Sequence, residues 1–202
     1  MSRTPRSREL TKQATRDALI AAAALQFAEQ GIEGASLNAI CARAGFTRGA
    51  FYVHFRDRED LLVAVMERVL GGFVEVLTAA SDAGGDLERI VTTIAIAIAA
   101  AAPPLRGGPS LRFHDVLAAC ELSPVIRERY SSVLQRAISG VARAAETGQR
   151  KGTVRADLDA RGLAQLLVTS TLGLISASEV KMPIDPNEIA RMLLQMIAPT
   201  VR

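Results

Sequence analysis

Ser36-Leu37-Asn38-Ala39-Ile40-Cys41-Ala42-Arg43-Ala44-Gly45-Phe46-Thr47-Arg48-Gly49-Ala50-Phe51-Tyr52-Val53-His54-Phe55 is the stretch on which the reading of this chain turns. Ser36 is of the residue type that caps a helix N-terminus, and Leu37, Ile40, Cys41 and Ala44 then fall on one helical face. Gly45 supplies the break, because glycine takes a left-handed backbone without steric cost. Thr47 caps a second short helix that carries Phe51 and Phe55 one turn apart. Two short helices around a glycine turn have the proportions of a helix-turn-helix, whose second helix enters the major groove of DNA N-terminus first. At about 100° per residue, Phe51, His54 and Phe55 share the side that faces protein, while Gly49, Tyr52 and Val53 share the side that faces the groove. Arg48 is the one long donor on the exposed side and the candidate reader of guanine O6 and N7, and Val53 can touch a thymine methyl.

Upstream, Ile20, Ala23, Ala24, Phe27 and Ala28 form one face of a helix from about Leu10 to Gln30, closed by Gly31. Arg3, Arg6, Arg8, Lys12 and Arg16 crowd its start, which fits a polyanion partner or equally a solvated basic tail. Downstream, Asp57 caps a fourth helix through Leu61, Leu62, Val65, Met66, Val69, Phe73 and Leu77. Ser81 to Gly85 reads as a loop, and Asp86 opens a helix to about Ala102 that Pro103, Pro104, Gly107, Gly108 and Pro109 interrupt. A short helix around Leu111 to Ala119 follows, and Ser123-Pro124 starts a long one reaching about Gly148. Gly152 to Asp159 connects to two last helices, about Ala160 to Val180 and Pro186 to Ala198. The expectation is an all-α chain of about nine helices: a three-helix DNA-binding module with its basic arm over 1–56, packed on a larger helical domain over 57–202.

The 202 residues carry a net charge of +3 and are 49% hydrophobic, with Ala, Leu, Ile and Val at helical rather than alternating spacing. Cys41 and Cys120 lie far apart without a CxxC or Cys/His cluster, so neither a disulfide framework nor a zinc site is indicated, and a cytoplasmic setting fits. Gln26 and Glu29 interrupt the one stretch that imitates a signal peptide, and the apolar run Ile90 to Ala102 is shorter than the roughly 20 residues a membrane span needs. No phosphate-cradling glycine loop, metal-ligand spacing or nucleophile-base arrangement occurs, so no catalytic residue, metal or cofactor is expected.

The quoted stretch, followed by Arg58-Glu59-Asp60-Leu61-Leu62, resembles the DNA-binding signature of the TetR family of bacterial transcriptional regulators almost position for position. The resemblance covers about the first quarter of the chain. It implies that Thr47, Arg48, Gly49, Tyr52, Val53 and His54 lie at or near DNA, that Tyr52 contacts phosphate, and that Arg58, where the family usually has Lys, anchors the backbone at the start of the fourth helix. Ser36 matches a hydroxyl residue that caps its helix and meets a phosphate. Cys41 departs from the family's usual Ala and reads as a small buried residue. For His54 the helical wheel leaves two readings open, a packing histidine or a phosphate contact.

One helix-turn-helix buries too little surface for tight specific binding, so a homodimer on a two-fold operator is expected. Two apolar stripes mark the last helices. One contains Leu163, Leu166, Leu167 and Leu174 beside the small residues Ser170, Gly173 and Ala177, and the other contains Ile189, Met192, Leu193, Met196 and Ile197. Such stripes suit plain core as well as interface, and the resemblance implies that these two helices build a four-helix dimer bundle. It also implies an effector pocket among helices four to seven, for which Phe73, Phe113, His114, Cys120, Tyr130 and Thr171 are the candidates, though each reads more readily as a core or surface residue. A hydrophobic, uncharged or aromatic effector fits this set better than a phosphorylated metabolite. The resulting expectation is a cytoplasmic, nucleoid-associated repressor released from a palindromic operator by a small hydrophobic effector. The alternative is a non-specific architectural DNA-binding protein or a helical adaptor without an effector.

Overall fold

A computed structural model describes residues 5–68, 71, 87–99 and 111–199. Among them every regular element is a helix: α1 (Pro5–Gly34), α2 (Leu37–Ala44), α3 (Arg48–His54), α4 (58–68 as far as described), α5 (Leu87–Ala99), α6 (Phe113–Leu122), α7 (Pro124–Lys151), α8 (Ala160–Glu179) and α9 (Pro186–Ile197). The all-α expectation is met. Phe73, the end expected for the fourth helix, the Ser81 to Gly85 loop and the Pro103 to Pro109 interruption lie outside the described residues.

The chain divides into two compact units, Met1–Val69 with Gly107–Arg127, and Leu70–Arg106 with Glu128–Arg202. In the first, α1 packs on α2, α3 and α6. Leu19, Phe27, Ile40, Phe51, Leu61, Val65 and Met66 are the large side chains fully enclosed among its described residues, and each contributes about 1.5–3 kcal/mol by leaving water. Gly31 breaks α1 where the sequence suggested. It leaves the helical region at φ 75°, ψ 165°, and one further turn follows to Gly34. That conformation favours glycine, and the Arg112 guanidinium lies 3.1 Å from where a Cβ would stand.

Two ion pairs brace α1 from outside. Arg43 of α2 meets Glu29 through two hydrogen bonds of 2.9 and 2.8 Å. Arg68 of α4 holds the Asp17 carbonyl and carboxylate at 3.0 and 3.1 Å. Both pairs are largely solvated, so each is worth about 0–1 kcal/mol and mainly fixes orientation.

The second unit is built on an apolar cluster from α5, α7, α8 and α9, including Ile90, Ile94, Ala137, Val141, Ala145, Leu167, Val168 and Ile197. Asp159 caps α8 by accepting from the Gly162 N–H at 2.6 Å, and Asp185 caps α9 by accepting from Asn187 N–H at 2.9 Å. The connection between α7 and α8 folds back on itself: Gln149 Nε2 donates to the Arg155 and Leu158 carbonyls, and Arg155 N–H donates to Ile197 O at 2.9 Å. Among the described residues, no helix is long and apolar enough to cross a membrane, and no group of three or more His, Cys, Asp or Glu is placed to hold a metal.

Candidate nucleic-acid interface

The reading head is set by local backbone chemistry. Ser36 Oγ accepts from Ala39 N–H at 3.1 Å and so caps α2. At the other end Gly45 sits at φ 76°, ψ 25°, and the Gly45 and Phe46 N–H groups return to the Ala42 and Cys41 carbonyls at 3.1 and 2.9 Å. A Cβ on Gly45 would meet nothing within 4 Å, so backbone conformation rather than space calls for glycine there. Thr47 Oγ1 then accepts from Ala50 N–H at 3.3 Å and starts α3 four residues after α2 ends.

α3 has one dry face and one wet face. Phe51 and Phe55 are buried and stacked, ring centroids 5.4 Å apart, and fasten the helix to the core. Arg48 and Gly49 are exposed, as are Tyr52 at 53% and Val53 at 66%. The Tyr52 ring leans edge-on against Phe51 at 5.2 Å while its hydroxyl accepts from Arg48 Nη2 at 3.1 Å. An outward tyrosine anchored at its base and a guanidinium oriented by its oxygen form a donor pair suited to a phosphate or a base edge.

His54 lies between the two faces. It is half-buried, and its Nδ1 is enclosed without a hydrogen-bond partner. Burial, and then the charges of Lys12 and Arg16, hold its pKa below the ordinary value. Arg16 also sits over the Phe55 ring at 5.1 Å. Two cations of α1 therefore gather at the C-terminal end of α3. The sequence named these residues as part of a basic arm, and only the packing of α1 on α3 brings them beside His54.

Arg58 is turned toward protein. Its Nη2 donates to the Ile32 carbonyl and, at 3.0 Å, to the Ala35 carbonyl, and the guanidinium lies 5.8 Å from the Phe27 ring centroid. A phosphate contact by Arg58 requires it to leave these carbonyls. Cys41 and Cys120 are buried thiols whose pKa burial raises, offset in part by Arg48 and Arg127 respectively.

The other candidates belong to both units. In the second unit, a cavity of about 30 Å³ lies between α5, α7, α8 and α9, and Thr171 lines it together with Ser170, Leu174 and Leu193. Thr171 is buried and returns its hydroxyl to the Leu167 carbonyl at 2.8 Å. Phe113 and His114 start α6 half-buried and exposed, Cys120 is buried later in the same helix, and Tyr130 is buried in α7. Neither cavity described in this chain is lined by any of these four. Leu166, Met192 and Met196 are exposed apolar side chains of α8 and α9, Gly173 is exposed, and Ala177 is half-buried. A groove that the sequence did not suggest, about 750 Å³, opens in the first unit between the end of α1, α4, α6 and the first residues of α7.

The family profile described as "Bacterial regulatory proteins, tetR family" matches residues 19–65. The HTH-type transcriptional repressor BepR of Brucella suis biovar 1 (strain 1330) is 30% identical over 171 residues, which span 80% of this chain and 79% of that protein. The chain belongs to the TetR family. Among solved structures, reduced NemR of E. coli has the same fold, with a TM-score of 0.76 at 22% identity over 93% of this chain and 98% of that one. A SmeT–triclosan complex is similar at 27% identity, with a TM-score of 0.73, over 91% of this chain and 90% of that one. SmeT is the repressor of the Stenotrophomonas maltophilia multidrug efflux pump SmeDEF. This TetR-family chain is a DNA-binding transcriptional regulator of the helix-turn-helix type.

Proposed function

We propose that the chain is a repressor that holds a palindromic operator as a homodimer and releases it when a small, largely apolar effector binds. The observation that carries the DNA half is the division of α3 into a buried Phe51–Phe55 face and an outward face of Arg48, Gly49, Tyr52 and Val53. Arg48 reads a guanine and Val53 a thymine methyl. Ser36, Thr47, Tyr52 and His54 meet phosphates, with the basic start of α1 adding sequence-independent attraction. Arg58 serves the same interface by holding the start of α4 against the end of α1. Residues 1–56 act as the reading head and 57–202 as the effector and dimer region, in the cytoplasm at the nucleoid.

Dimerisation through α8 and α9 is supported by the exposed Leu166, Met192 and Met196, together with Val180, Met182 and Ile184 around the turn between these helices. Apolar side chains collected on one pair of helices are what an isologous interface covers. Effector release follows from linkage: a molecule that prefers the conformation with mis-spaced heads weakens DNA binding by the factor by which DNA weakens it. The triclosan complex of SmeT supports a small-molecule effector for this relative.

The test is selection from fragmented host DNA at near-physiological salt, run beside Arg48→Ala. Enrichment of one inverted repeat with half-sites about a helical turn apart, lost in the variant, is the expected result. Retention of arbitrary fragments, steeply salt-dependent and indifferent to the substitution, overturns sequence-specific repression.

A further inference from the structure

α7 carries Arg129, Arg136, Arg143 and Arg150 at intervals of seven residues, and all four are exposed. Seven residues are nearly two helical turns, so the four lie in one row that drifts only about 20° per step and runs for about 31 Å. The opposite side of the same helix is buried through Val133, Ala137, Val141 and Ala144. With Arg127 and Lys151, these arginines outnumber the carboxylates of the helix, Glu128 and Glu146. This one helix therefore carries more net positive charge than the chain as a whole, whose net charge is +3.

A solvated helix ordinarily answers such cations with carboxylates three or four residues away. Around Arg136 those positions hold Ser132, Val133, Ser139 and Gly140, none of them acidic. Glu146 stands at that spacing from Arg143 and Arg150, yet no ion pair joins it to either among the described residues. Two of the guanidiniums turn instead to hydroxyls of their own helix. Arg136 Nη1 donates to Ser132 Oγ at 2.8 Å, and Arg150 Nη2 to Thr147 Oγ1 at 2.9 Å. These bonds hold the side chains along the helix without neutralising them.

We propose that the outer face of α7 is a docking surface for a partner protein, occupied by an acidic amphipathic helix whose carboxylates repeat every seven residues. Charge selects an acidic partner, and the spacing selects its form. Ser132 and Ser139 alternate with the arginines at steps of three and four, the seam pattern of paired helices, and their short side chains leave a gap between successive arginines for a knob from the partner. A carboxylate at every seventh residue of the partner meets each arginine at the same rise. Duplex DNA fits the row less well. A length of about 31 Å is close to one turn of the duplex, over which either phosphate strand winds round the axis while the arginines stay in line. A second copy of the same face fits worse, since arginine would meet arginine.

The probe is a fluorescein-labelled helical peptide of four heptads with Glu at each first position and Ala at each fourth, beside a peptide of the same composition with its Glu residues shuffled off that spacing. Both are titrated into the full chain at about 0.15 M salt and followed by fluorescence polarisation. The variants are Arg136→Glu with Arg143→Glu and, as a reversal of equal charge elsewhere, Arg161→Glu with Arg191→Glu, all at exposed positions. Melting curves establish that each is folded, and Arg136→Gln with Arg143→Gln takes over should the first pair not fold. The expected result is that the heptad peptide binds about tenfold or more tightly than the shuffled one, that the α7 variant loses this difference, and that the control pair keeps it. Equal binding of the two peptides overturns the docking surface, as does unchanged binding in the α7 variant or no binding at millimolar peptide. A random DNA duplex is titrated in parallel. An α7 variant that loses the duplex but keeps the peptide assigns the row to nucleic acid and overturns the proposal.

Discussion

Arg48 Nη2 donates to the Tyr52 hydroxyl at 3.1 Å, so the two long side chains on the outward face of α3 are held as one unit. Removing either changes the orientation of the other as well as its own contact. Arg48→Ala is expected to cost about 1–3 kcal/mol on the preferred operator and to flatten base preference at one position. Tyr52→Phe should weaken all sequences alike. The double variant should fall short of the sum, a coupling measured by fluorescence anisotropy on operator and random duplex. Strict additivity would mean that the pair parts on DNA.

Arg58 bonds the Ile32 and Ala35 carbonyls at the turn from α1 to α2. Arg58→Met keeps much of the stem over Phe27 and removes both hydrogen bonds made by Nη2, and about 1–3 kcal/mol of stability should go with them. Thermal unfolding reads this directly. A variant with unchanged melting but weaker DNA binding would instead assign Arg58 to a phosphate.

His54 has a folded pKa below its ordinary 6.5, set first by burial and then by Lys12 and Arg16. The unfolded imidazole takes up its proton near pH 6.5 and the folded one only at lower pH. Over that interval the unfolded chain binds more protons, so stability is full above pH 7 and falls as the pH drops through the interval. His54→Phe, which fills the site of a partnerless Nδ1, should flatten the fall in melting temperature between pH 7 and 5. An identical slope in both proteins would dismiss His54 as its source.

Gly148 of α7 is enclosed by the connection that follows it. A Cβ there would stand 2.6 Å from Val154 Cγ2 and 3.2 Å from Thr153 Oγ1, and Val154 is itself buried. Gly148→Ala gains helix propensity, yet overpacking should outweigh it by about 1–3 kcal/mol. The melting temperature should drop by about 2–4 °C for each kcal/mol. A rise would mean that the connection yields freely.

Met192 is 57% exposed on α9. Met192→Glu should leave the melting of a dilute monomer nearly unchanged while shifting sedimentation from dimer to monomer. A variant that remains dimeric would move the interface off this face.

The helix-turn-helix was legible because its determinants are local. Ser36, Gly45 and Thr47 act on backbone groups within four residues of themselves, so a cap read in sequence is a cap found in space. Ser123-Pro124 marked the start of α7 for the same reason. Gly31 was legible as a break in α1, but a glycine does not state whether a helix resumes after it, so the turn to Gly34 was not. The groove escaped too, since it needs residues near 31, 59, 119 and 126 to be brought together, and helical periodicity does not say which helix faces which.

The division of α3 into a buried and an outward face bears on inheritance. Arg48, Gly49, Tyr52 and Val53 carry little of the packing, while Phe51 and Phe55 carry most of it. Substitutions at the four outward positions can therefore accumulate with little loss of stability, each redrawing the DNA sequence that is preferred. A gene duplicate of this protein could acquire a new set of target promoters through a handful of surface changes, with the sensing half of the molecule untouched.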